Sequence, residues 1–342
     1  MSKKINIAVV GATGLVGRAM LTILEQRHFP IKQLYLLASE RSEGETISFN
    51  KKTLFVEKVA DFDFKKADIA FFTAGASVSA QYVPLATKNA CIVIDNTSQF
   101  RYDDDVPLVI PEVNPQALEN YNKRHIIANP NCSTIQLLVA LKPIYDVVGI
   151  SRINVVTFQS VSGVGRKALQ ELIDQSGRLL NGLSIKKPKA FSSQIAFNVI
   201  PHIDDFQENG YTREEMKMVW ETQKILADKS IQVNPTAVRV PVFYSHSESV
   251  HMETKQKITV SQAKQLLKKA PGVTVIDRRL KNGYPMPVMK KFLENDVMVG
   301  RIREDISHPL GLNLWIVSDN TRKGAALNTV QIAEHLIKDY LD

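Results

Sequence analysis

The sequence predicts an α/β protein built from two domains. In the first third of the chain, short apolar runs alternate with segments of helical periodicity, as in a parallel sheet covered on both faces. A glycine-rich turn at residues 11–17 joins the first apolar run to the first helical segment. The chain of 342 residues is also longer than one ordinary hydrophobic core accommodates, so a second domain is expected.

The first domain can be followed element by element. The β-branched run at residues 5–10 predicts the first strand, and the helical stretch after the glycine-rich turn extends to about residue 26. Further elements follow in order, with strands at 34–38, 69–73 and 91–95 and a helix at 80–88.

The end of the chain is predicted to return to this first domain. Residues 314–317 form an apolar run typical of a strand, and residues 326–341 carry apolar side chains at helical spacing. We therefore expect a first domain of residues 1–130 plus 321–342 and a second domain of residues 131–320.

Composition excludes several classes of protein. The 44% of hydrophobic and 23% of charged residues are typical of a globular, soluble chain. Two cysteines cannot form a disulfide framework, and no CxxC pair or Cys/His cluster predicts a metal site. No room exists for a signal peptide before the first strand, and no apolar run approaches membrane-spanning length. We expect a cytoplasmic protein that does not span a membrane.

The net charge of +8 does not predict a nucleic-acid-binding protein. Residues 1–130 hold 15 basic and 14 acidic side chains, and the rest of the chain holds 28 and 21. The excess is thus interspersed with acidic residues, whereas nucleic-acid binding usually needs a clustered basic surface. An anionic small-molecule substrate agrees better with this distribution.

The glycine-rich turn has the spacing of a dinucleotide-binding site. Gly11, Gly14 and Gly17 follow a strand and open a helix, so that the backbone can approach a pyrophosphate at the helix N-terminus. A plain tight turn is the alternative. At the end of the second strand, Arg41 with Ser39 and Ser42 could bind a 2′-phosphate, which favours NADP. Glu40 complicates this prediction, since a carboxylate there could favour the unphosphorylated ribose.

Cys132 is the strongest candidate for a catalytic residue. It stands where a turn hands over to a predicted helix at residues 133–148, and a helix N-terminus favours the nucleophilic thiolate. The alternative is a small buried hydrophobe, the role expected of Cys91. A thiolate and a nicotinamide site together suggest aldehyde chemistry through a hemithioacetal and a thioester, with backbone amides near the cysteine binding the oxyanion.

Ten short motifs in order resemble the aspartate-semialdehyde dehydrogenase family along nearly the whole chain. They lie at residues 11–17, 38–42, 96–101, 111–114, 129–134, 159–165, 214–217, 239–241, 246–248 and 319–326. The resemblance implies a Rossmann-type dinucleotide-binding domain and an α+β catalytic and dimerisation domain like that of glyceraldehyde-3-phosphate dehydrogenase. It also implies a homodimer formed through the sheet of the second domain.

The resemblance assigns catalytic roles to three residues. Cys132 would be the acyl-thioester nucleophile and His246 the general acid and base, which agrees with the titration range of histidine. Gln159 would orient the thioester or the substrate carbonyl. The alternative for Gln159 is a strand glutamine bonded to the backbone.

The resemblance also assigns the binding of substrate and phosphate. Arg239 would grip the α-carboxylate and Glu214 would pair with the α-ammonium, while Arg101, Lys217 and Asn131 would hold the phosphate. Glu214 and Lys217 also have the i, i+3 spacing of an ordinary helical salt bridge.

For the cofactor, the resemblance places Asn320 against the nicotinamide carboxamide. The other residues implied as cofactor contacts are Gly11, Thr13, Gly14, Leu15, Val16, Ser39, Arg41, Ser42, Gly75, Ser162 and Gly163.

These assignments imply a reversible, NADP-dependent reductive dephosphorylation of L-4-aspartyl phosphate to L-aspartate 4-semialdehyde. Such a step leads to lysine, threonine, methionine and isoleucine. The alternative enzyme is an N-acetyl-γ-glutamyl-phosphate reductase, whose acetylated substrate would leave Glu214 without an ammonium partner. A catalytically silent paralogue is the non-enzyme alternative, but the cysteine, histidine and arginine are all present.

Overall fold

The computed structural model describes residues 4–289 and 295–341. The chain divides into two compact units, one running to Pro130 and resuming at Ala325, and the other comprising Asn131–Gly324. The return to the first unit lies four residues after the residue 321 expected from the sequence. The difference arises because the amide of Gly324 bonds back to the carbonyl of Asp319, which keeps this turn with the second unit.

The first unit contains seven strands and three α-helices among its described residues. The strands are β1 (Ile5–Val10), β2 (Ile31–Ala38), β3 (Thr46–Phe49), β4 (Lys52–Lys58), β5 (Ile69–Phe72), β6 (Ile92–Asp95) and β7 (Ile126–Ala128). The helices are α1 (Leu15–Gln26), α2 (Ala76–Lys88) and α7 (Leu327–Tyr340). The strands are ordered β3-β4-β2-β1-β5-β6-β7, and all neighbours are parallel except β3 and β4.

The continuous apolar character of the central strands is explained by their burial. Ile7, Val9 and Phe71 are fully buried and share one hydrophobic cluster with side chains of α1 and α7. Parallel strands need such crossovers, so their faces are covered by helices. The predicted fold class is confirmed.

The hairpin formed by β3 and β4 was not predicted from the sequence. Its turn uses Asn50 and Lys51, which both have positive φ, at 47° and 62°. Two-residue hairpin turns with positive φ usually show asparagine followed by glycine, and lysine in the second place hides the signal.

The second unit contains the remaining elements. The helices are α3 (Cys132–Val148), α4 (Arg166–Leu180), α5 (Arg213–Ile225) and α6 (Val260–Lys269). The strands are β8 (Ile150–Gln159), β9 (Gln232–Arg239), β10 (His246–Thr254), β11 (Val273–Val275), β12 (Val297–Glu304) and β13 (Gly311–Ser318). They form a mixed sheet ordered β11-β12-β13-β10-β8-β9.

Helix α3 packs on the inner face of this sheet. Residues 133–141 of the helix are all buried, so this part of the helix contacts protein on every side, whereas a surface helix is buried along one face only. The alternate residues Ile153 and Val155 of β8 point toward it, whereas Val156 lies on the outer face and is exposed. Among the residues described, no helix combines the length and apolar character needed to cross a bilayer.

Candidate active site

The site is built around the first turn of α3. The side-chain oxygen of Asn131 accepts hydrogen bonds from the amides of Ser133 at 2.9 Å and Thr134 at 3.4 Å, which makes Asn131 the N-cap. Cys132 is the first helical residue and is partly exposed. Cys91 is buried, and burial raises the pKa of its thiol to about 12. The structure therefore distinguishes an accessible thiol at a helix N-terminus from an inert one in the core.

Four polar side chains lie in one row across the inner face of the second sheet. Arg239 of β9 is the register partner of Gln159 of β8, and His246 of β10 is the partner of Ser318 of β13. Extending the register of β8 and β10 by one residue sets His246 opposite Gln159. All four are buried. Strand pairing thus brings together three predicted site residues that are up to 87 positions apart in the chain.

His246 is held as a neutral imidazole. Its Nδ1 atom accepts a hydrogen bond from the amide of Ser160 at 3.1 Å, so the ring proton of the neutral form resides on Nε2. Burial, and then the charge of Arg239, lower the pKa of His246 to about 3. The buried Nε2 atom has no hydrogen-bond partner among the described residues. His246 therefore presents an unused donor, which a substrate oxygen could accept.

Glu214 is a buried carboxylate that accepts hydrogen bonds from three side chains. Its Oε1 atom accepts hydrogen bonds from Asn131 at 2.9 Å and Gln159 at 3.0 Å, and Oε2 accepts one from Lys217 at 2.9 Å. Burial raises the pKa of Glu214, but Lys217 and these hydrogen bonds outweigh burial and lower it to about 2. A carboxylate has about four acceptor positions, so one remains for a ligand.

Lys217 and Arg239 are the two positively charged residues predicted for the site in the second unit. Lys217 also bonds to Asp204 at 2.7 Å, which leaves one of its three donor hydrogens for a ligand. Burial lowers the pKa of Lys217, yet Glu214 and Asp204 raise it above its ordinary value. Arg239 donates to the carbonyl of Ser160 at 2.8 Å, and burial lowers its pKa against the opposing charges of Glu214 and Cys132.

Gln159 is held by hydrogen bonds to two side chains of the protein. Its amide nitrogen donates to Glu214 and, at 3.1 Å, to the hydroxyl of Ser133, so both amide hydrogens are used within the protein. Its Oε1 atom is buried and has no partner among the described residues. In this arrangement Gln159 orients protein groups, and donation to a substrate carbonyl would need one of these bonds to break.

Backbone amides near Cys132 are expected to bind the oxyanion. Two of them, those of Ser133 and Thr134, donate to the side-chain oxygen of Asn131 in this structure. Such bonds are the ordinary function of an N-cap, which satisfies the first free amides of a helix.

Asn320 is fixed through its side-chain oxygen. That oxygen accepts hydrogen bonds from the hydroxyls of Ser160 and Ser162, at 3.1 and 3.0 Å, and from the amide of Ser245 at 3.1 Å. The amide nitrogen of Asn320 is thereby turned away from these groups and can donate to a ligand. A Cβ atom at Gly163 would lie 3.1 Å from Arg239, so this position accepts only glycine without displacement.

The first unit contains a cavity beside its glycine-rich turn. Its volume is about 620 Å³, and Gly11, Thr13, Gly14 and Ser39 are among its lining residues. Gly11 has φ of +89°, and a Cβ atom on Gly17 would fall 2.2 Å from the carbonyl oxygen of Gly11. A side chain at either place would open this close-packed turn, which a pyrophosphate must approach.

Other predicted cofactor residues lie around this cavity without lining it. Leu15 and Val16 begin α1, and Gly75 precedes α2 with φ of +104°. Arg41 and Ser42 form a short 3₁₀ turn after β2, where the hydroxyl of Ser42 accepts a hydrogen bond from Thr13 at 3.3 Å.

Of the residues predicted to bind phosphate, Arg101 alone belongs to the first unit. It lies in the loop after β6, is buried, and donates to the carbonyl of Asn96 at 2.9 Å. Asn131 and Lys217 belong to the second unit. Within the described residues, no group of histidine, cysteine and carboxylate side chains could hold a metal ion.

Several supporting residues were missed in the sequence. Glu221 accepts a hydrogen bond from the backbone amide of Asn131 at 2.6 Å, and Ser160 orients both His246 and Asn320. Glu221 lies seven residues after Glu214, hence on the same face of α5, and this spacing was the available signal. In the first unit, Lys58, Gln81 and Tyr82 line the cavity, a position that no local motif reveals.

Comparison with known proteins decides the family. Residues 6–121 match the family described as semialdehyde dehydrogenase, NAD binding domain, and residues 141–323 match semialdehyde dehydrogenase, dimerisation domain. An aspartate-semialdehyde dehydrogenase of Legionella pneumophila is 60% identical over 341 residues, covering 100% of this chain and 98% of the relative. The chain belongs to the aspartate-semialdehyde dehydrogenase family.

Solved structures of the same family agree with the fold. Aspartate semialdehyde dehydrogenase II of Vibrio cholerae, complexed with ASA, superposes with a TM-score of 0.97 at 55% identity, covering 99% of this chain and 100% of that chain. The Candida albicans aspartate semialdehyde dehydrogenase, solved with NADP, has a TM-score of 0.77 at 26% identity and covers 98% of each chain.

Membership of the family confirms the activity expected from the motifs. The aspartate-semialdehyde dehydrogenase family catalyses the reversible reductive dephosphorylation of aspartyl phosphate, so the chain is an oxidoreductase of amino-acid biosynthesis. The first unit carries the nicotinamide-dinucleotide-binding domain of the family.

Proposed function

We propose that this enzyme reduces L-4-aspartyl phosphate with NADPH through an aspartyl thioester on Cys132, and that Arg239, Glu214 and His246 recognise the acyl group. The observation that carries the proposal is the pair of opposite charges beside the N-terminus of α3. A buried guanidinium and a buried carboxylate match the α-carboxylate and α-ammonium of an aspartyl group.

Substrate binding would use the hydrogen-bond donors and acceptors of these side chains that the protein itself leaves available. Arg239 donates one guanidinium hydrogen to the Ser160 carbonyl, and the other N–H groups of its planar guanidinium can bind a carboxylate. Glu214 keeps one acceptor position, which an ammonium would fill. Because both groups are fixed by protein contacts, the substrate loses its freedom without a matching loss in the enzyme.

The first chemical step is the attack of the Cys132 sulfur on the acyl phosphate. The helix N-terminus and the guanidinium of Arg239 both favour a negatively charged sulfur. A carbon–sulfur bond forms, the carbon–oxygen bond to phosphate breaks, and phosphate leaves to Arg101 and the free donor of Lys217. The product is a thioester on Cys132.

His246 would stabilise the negative charge of the second half-reaction. When bound, NADPH would supply the hydride that reduces the thioester carbonyl, and the resulting oxyanion would accept a hydrogen bond from Nε2 of His246. As the carbonyl forms again, the carbon–sulfur bond breaks, the aldehyde leaves and the Cys132 thiolate is restored, while the imidazole keeps its proton. The one proton that the overall reduction consumes is taken up from water by the departing phosphate.

NADP is the preferred cofactor in this proposal. The Gly11–Gly14 turn and its cavity would hold the pyrophosphate, and the free amide nitrogen of Asn320 would donate to the nicotinamide carboxamide. Support for the phosphorylated form comes from Arg41 after β2 and from the Candida albicans relative solved with NADP.

The second sheet provides the surface for a homodimer. Its outer face carries Val156, Phe158 and Trp315, which are partly exposed, and the matched domain is described as a dimerisation domain. Sedimentation should show a dimer, and we place the enzyme in the cytoplasm with its soluble substrates.

The proposal is tested by assaying L-aspartate 4-semialdehyde with phosphate and NADP, beside N-acetyl-L-glutamate 5-semialdehyde. Turnover should be confined to the first aldehyde, because acetylation would leave Glu214 without an ammonium partner. Preferential turnover of the acetylated aldehyde would overturn the assignment of Glu214 and identify the reductase alternative.

A further inference from the structure

We propose that Lys58 is a specificity-determining residue, which binds the 2′-phosphate of NADP and prevents Glu40 from selecting NAD. The inference rests on the proposed use of NADP and names the side chain of this enzyme that recognises the phosphate. The sequence indicated Arg41, with Ser39 and Ser42, for this phosphate and did not indicate Lys58, because Lys58 does not follow the second strand.

The position of Lys58 is decided by strand pairing. Strands β2 and β4 are parallel neighbours, and Ala38 at the end of β2 is the register partner of Lys58 at the end of β4. The carboxyl ends of parallel strands meet at the edge where this fold binds its ligand, and the residues just after β2 meet the adenosine ribose. Lys58 therefore stands beside the ribose end of the site, although it is 20 residues from Ala38 in sequence.

The cavity confirms that Lys58 faces this space. Lys58 lines the same cavity as Gly11, Thr13 and Ser39, and its side chain is 29% exposed. Arg41 is not among the lining residues and is exposed on the 3₁₀ turn. Of these two cations, the lysine is the one that a bound phosphate meets inside the cavity.

The charges around Lys58 suit an exchange of partners. Its ammonium lies 3.8 Å from a carboxylate oxygen of Glu40 and 3.8 Å from one of Asp61, which are both loose contacts. The side chains of Glu40 and Asp61 are 80% and 71% exposed, so each carboxylate can move into water when a phosphate arrives. A phosphate carries more charge and more acceptor oxygens than either carboxylate, and a partly buried ammonium favours it.

The contact between Lys58 and Glu40 also explains how an enzyme with a carboxylate after β2 could still prefer NADP to NAD. A carboxylate after β2 would ordinarily accept a hydrogen bond from the ribose 2′-hydroxyl and repel a 2′-phosphate. Lys58 compensates this charge from the neighbouring strand. Removal of Lys58 should therefore weaken NADP and leave NAD unaffected or improved.

The decisive experiment measures binding of cofactor fragments without any turnover. Isothermal titration of 2′,5′-ADP and of ADP against the full-length enzyme isolates the 2′-phosphate. We expect Lys58→Met to weaken 2′,5′-ADP by about tenfold or more, the loss of one charge-assisted contact, while ADP changes less than about twofold. Lys58→Arg should restore most of the affinity. Lys52→Met, at the opposite end of β4, is the matched control and should change neither ligand.

Every outcome bears on the proposal. Unchanged 2′,5′-ADP affinity in Lys58→Met would overturn it, as would an equal loss for both fragments, which would mean that Lys58 only shapes the cavity. A wild-type enzyme that binds ADP as tightly as 2′,5′-ADP would also overturn it. Semialdehyde turnover of Lys58→Met at saturating cofactor is measured separately. If the binding of 2′,5′-ADP contradicts the role of Lys58, this turnover still tests the chemistry proposed at Cys132.

Discussion

Gly324 lies directly against Cys132, since a Cβ atom at position 324 would fall 2.8 Å from the Cβ atom of the cysteine. The backbone of Gly324 needs no left-handed conformation, so glycine is required here for space alone. The turn that contains it is π-helical, spanning Arg322–Ala326. Local widening of a helix often occurs at functional positions, and here the widened turn packs against Cys132.

Gly324→Ala should therefore impair catalysis by displacing Cys132. We expect kcat to fall by about 100-fold, the scale of an ångström-sized misplacement, with a stability loss of about 1–3 kcal/mol from overpacking. Steady-state kinetics and urea unfolding would measure both. Gly177→Ala is the control, because a Cβ atom there meets nothing within 4 Å and should leave kcat unchanged. Wild-type kcat in Gly324→Ala would refute the steric argument.

Cys132→Ala should abolish turnover without unfolding the protein. The residue is partly exposed at a helix start, so the truncation removes little packing, whereas the thioester cannot form. Mass spectrometry after brief iodoacetamide treatment should find the label on Cys132 and not on Cys91, whose thiol is buried and has a raised pKa of about 12. Substantial residual turnover would exclude the thioester mechanism.

His246 should remain neutral across the working pH range of the free enzyme. Its pKa of about 3 lies below the ordinary value of 6.5, so the folded state binds fewer protons than the unfolded state between these two values. Stability should then rise with pH in that window and be lost as pH falls through it. The imidazole resonances of His246 should show no titration near pH 6.5, and a normal titration would contradict this account.

Removal of the His246 side chain has a separate kinetic consequence. His246→Ala should lower kcat by about 10²–10³-fold, the usual cost of losing one donor to the oxyanion. The circular dichroism spectrum should be retained. A loss confined to KM would instead assign His246 to binding.

Glu214→Gln should raise KM for the semialdehyde. The variant loses the charge that faces the substrate ammonium, and a charged hydrogen bond contributes about 1.5–3 kcal/mol, or roughly 10–150-fold in kcat/KM. Some stability is also lost, although Asp204 still pairs with Lys217. Glu215→Gln is the matched control, because Glu215 is equally buried but bonds to the amides of Thr212 and Ala237. An unchanged KM in Glu214→Gln, or an equal rise in both variants, would count against ammonium binding.

Glu248 should make stability decline with pH. It is fully buried on β10, two residues from His246, and burial raises its pKa well above 4.5. The folded state then holds a proton that the unfolded state releases, so stability falls by up to about 1.4 kcal/mol per pH unit above pH 4.5 until the folded pKa is reached. Glu248→Gln cannot ionise and should lack this decline. Urea unfolding at pH 5 and pH 8 would reveal it, and equal pH dependence in both proteins would refute it.

Much of the fold was predictable because its signals are local. The glycine-rich turn, the apolar strands around it and the helix after Cys132 are each encoded by neighbouring residues, and the observed bounds differ by a few positions. The helix predicted at residues 80–88 begins at Ala76, and the hairpin at Thr46–Phe49 and Lys52–Lys58 was missed because lysine stands at its turn. The site residues were named through ordered family motifs, not through any geometric signal.

The sequence by itself singled out Cys132 as the candidate nucleophile and indicated the dinucleotide turn and the family, since these depend on residue identity at short spacing. Only the tertiary structure decided how the groups are used. The pairing of β8, β9, β10 and β13 set Arg239, Gln159, His246 and Ser318 in one row. The Ser160 amide placed the imidazole proton on Nε2, and the register of β2 with β4 brought Lys58 to the cavity beside the glycine-rich turn. Hydrogen-bond partners and strand neighbours come from distant parts of the chain, so no local pattern contains them.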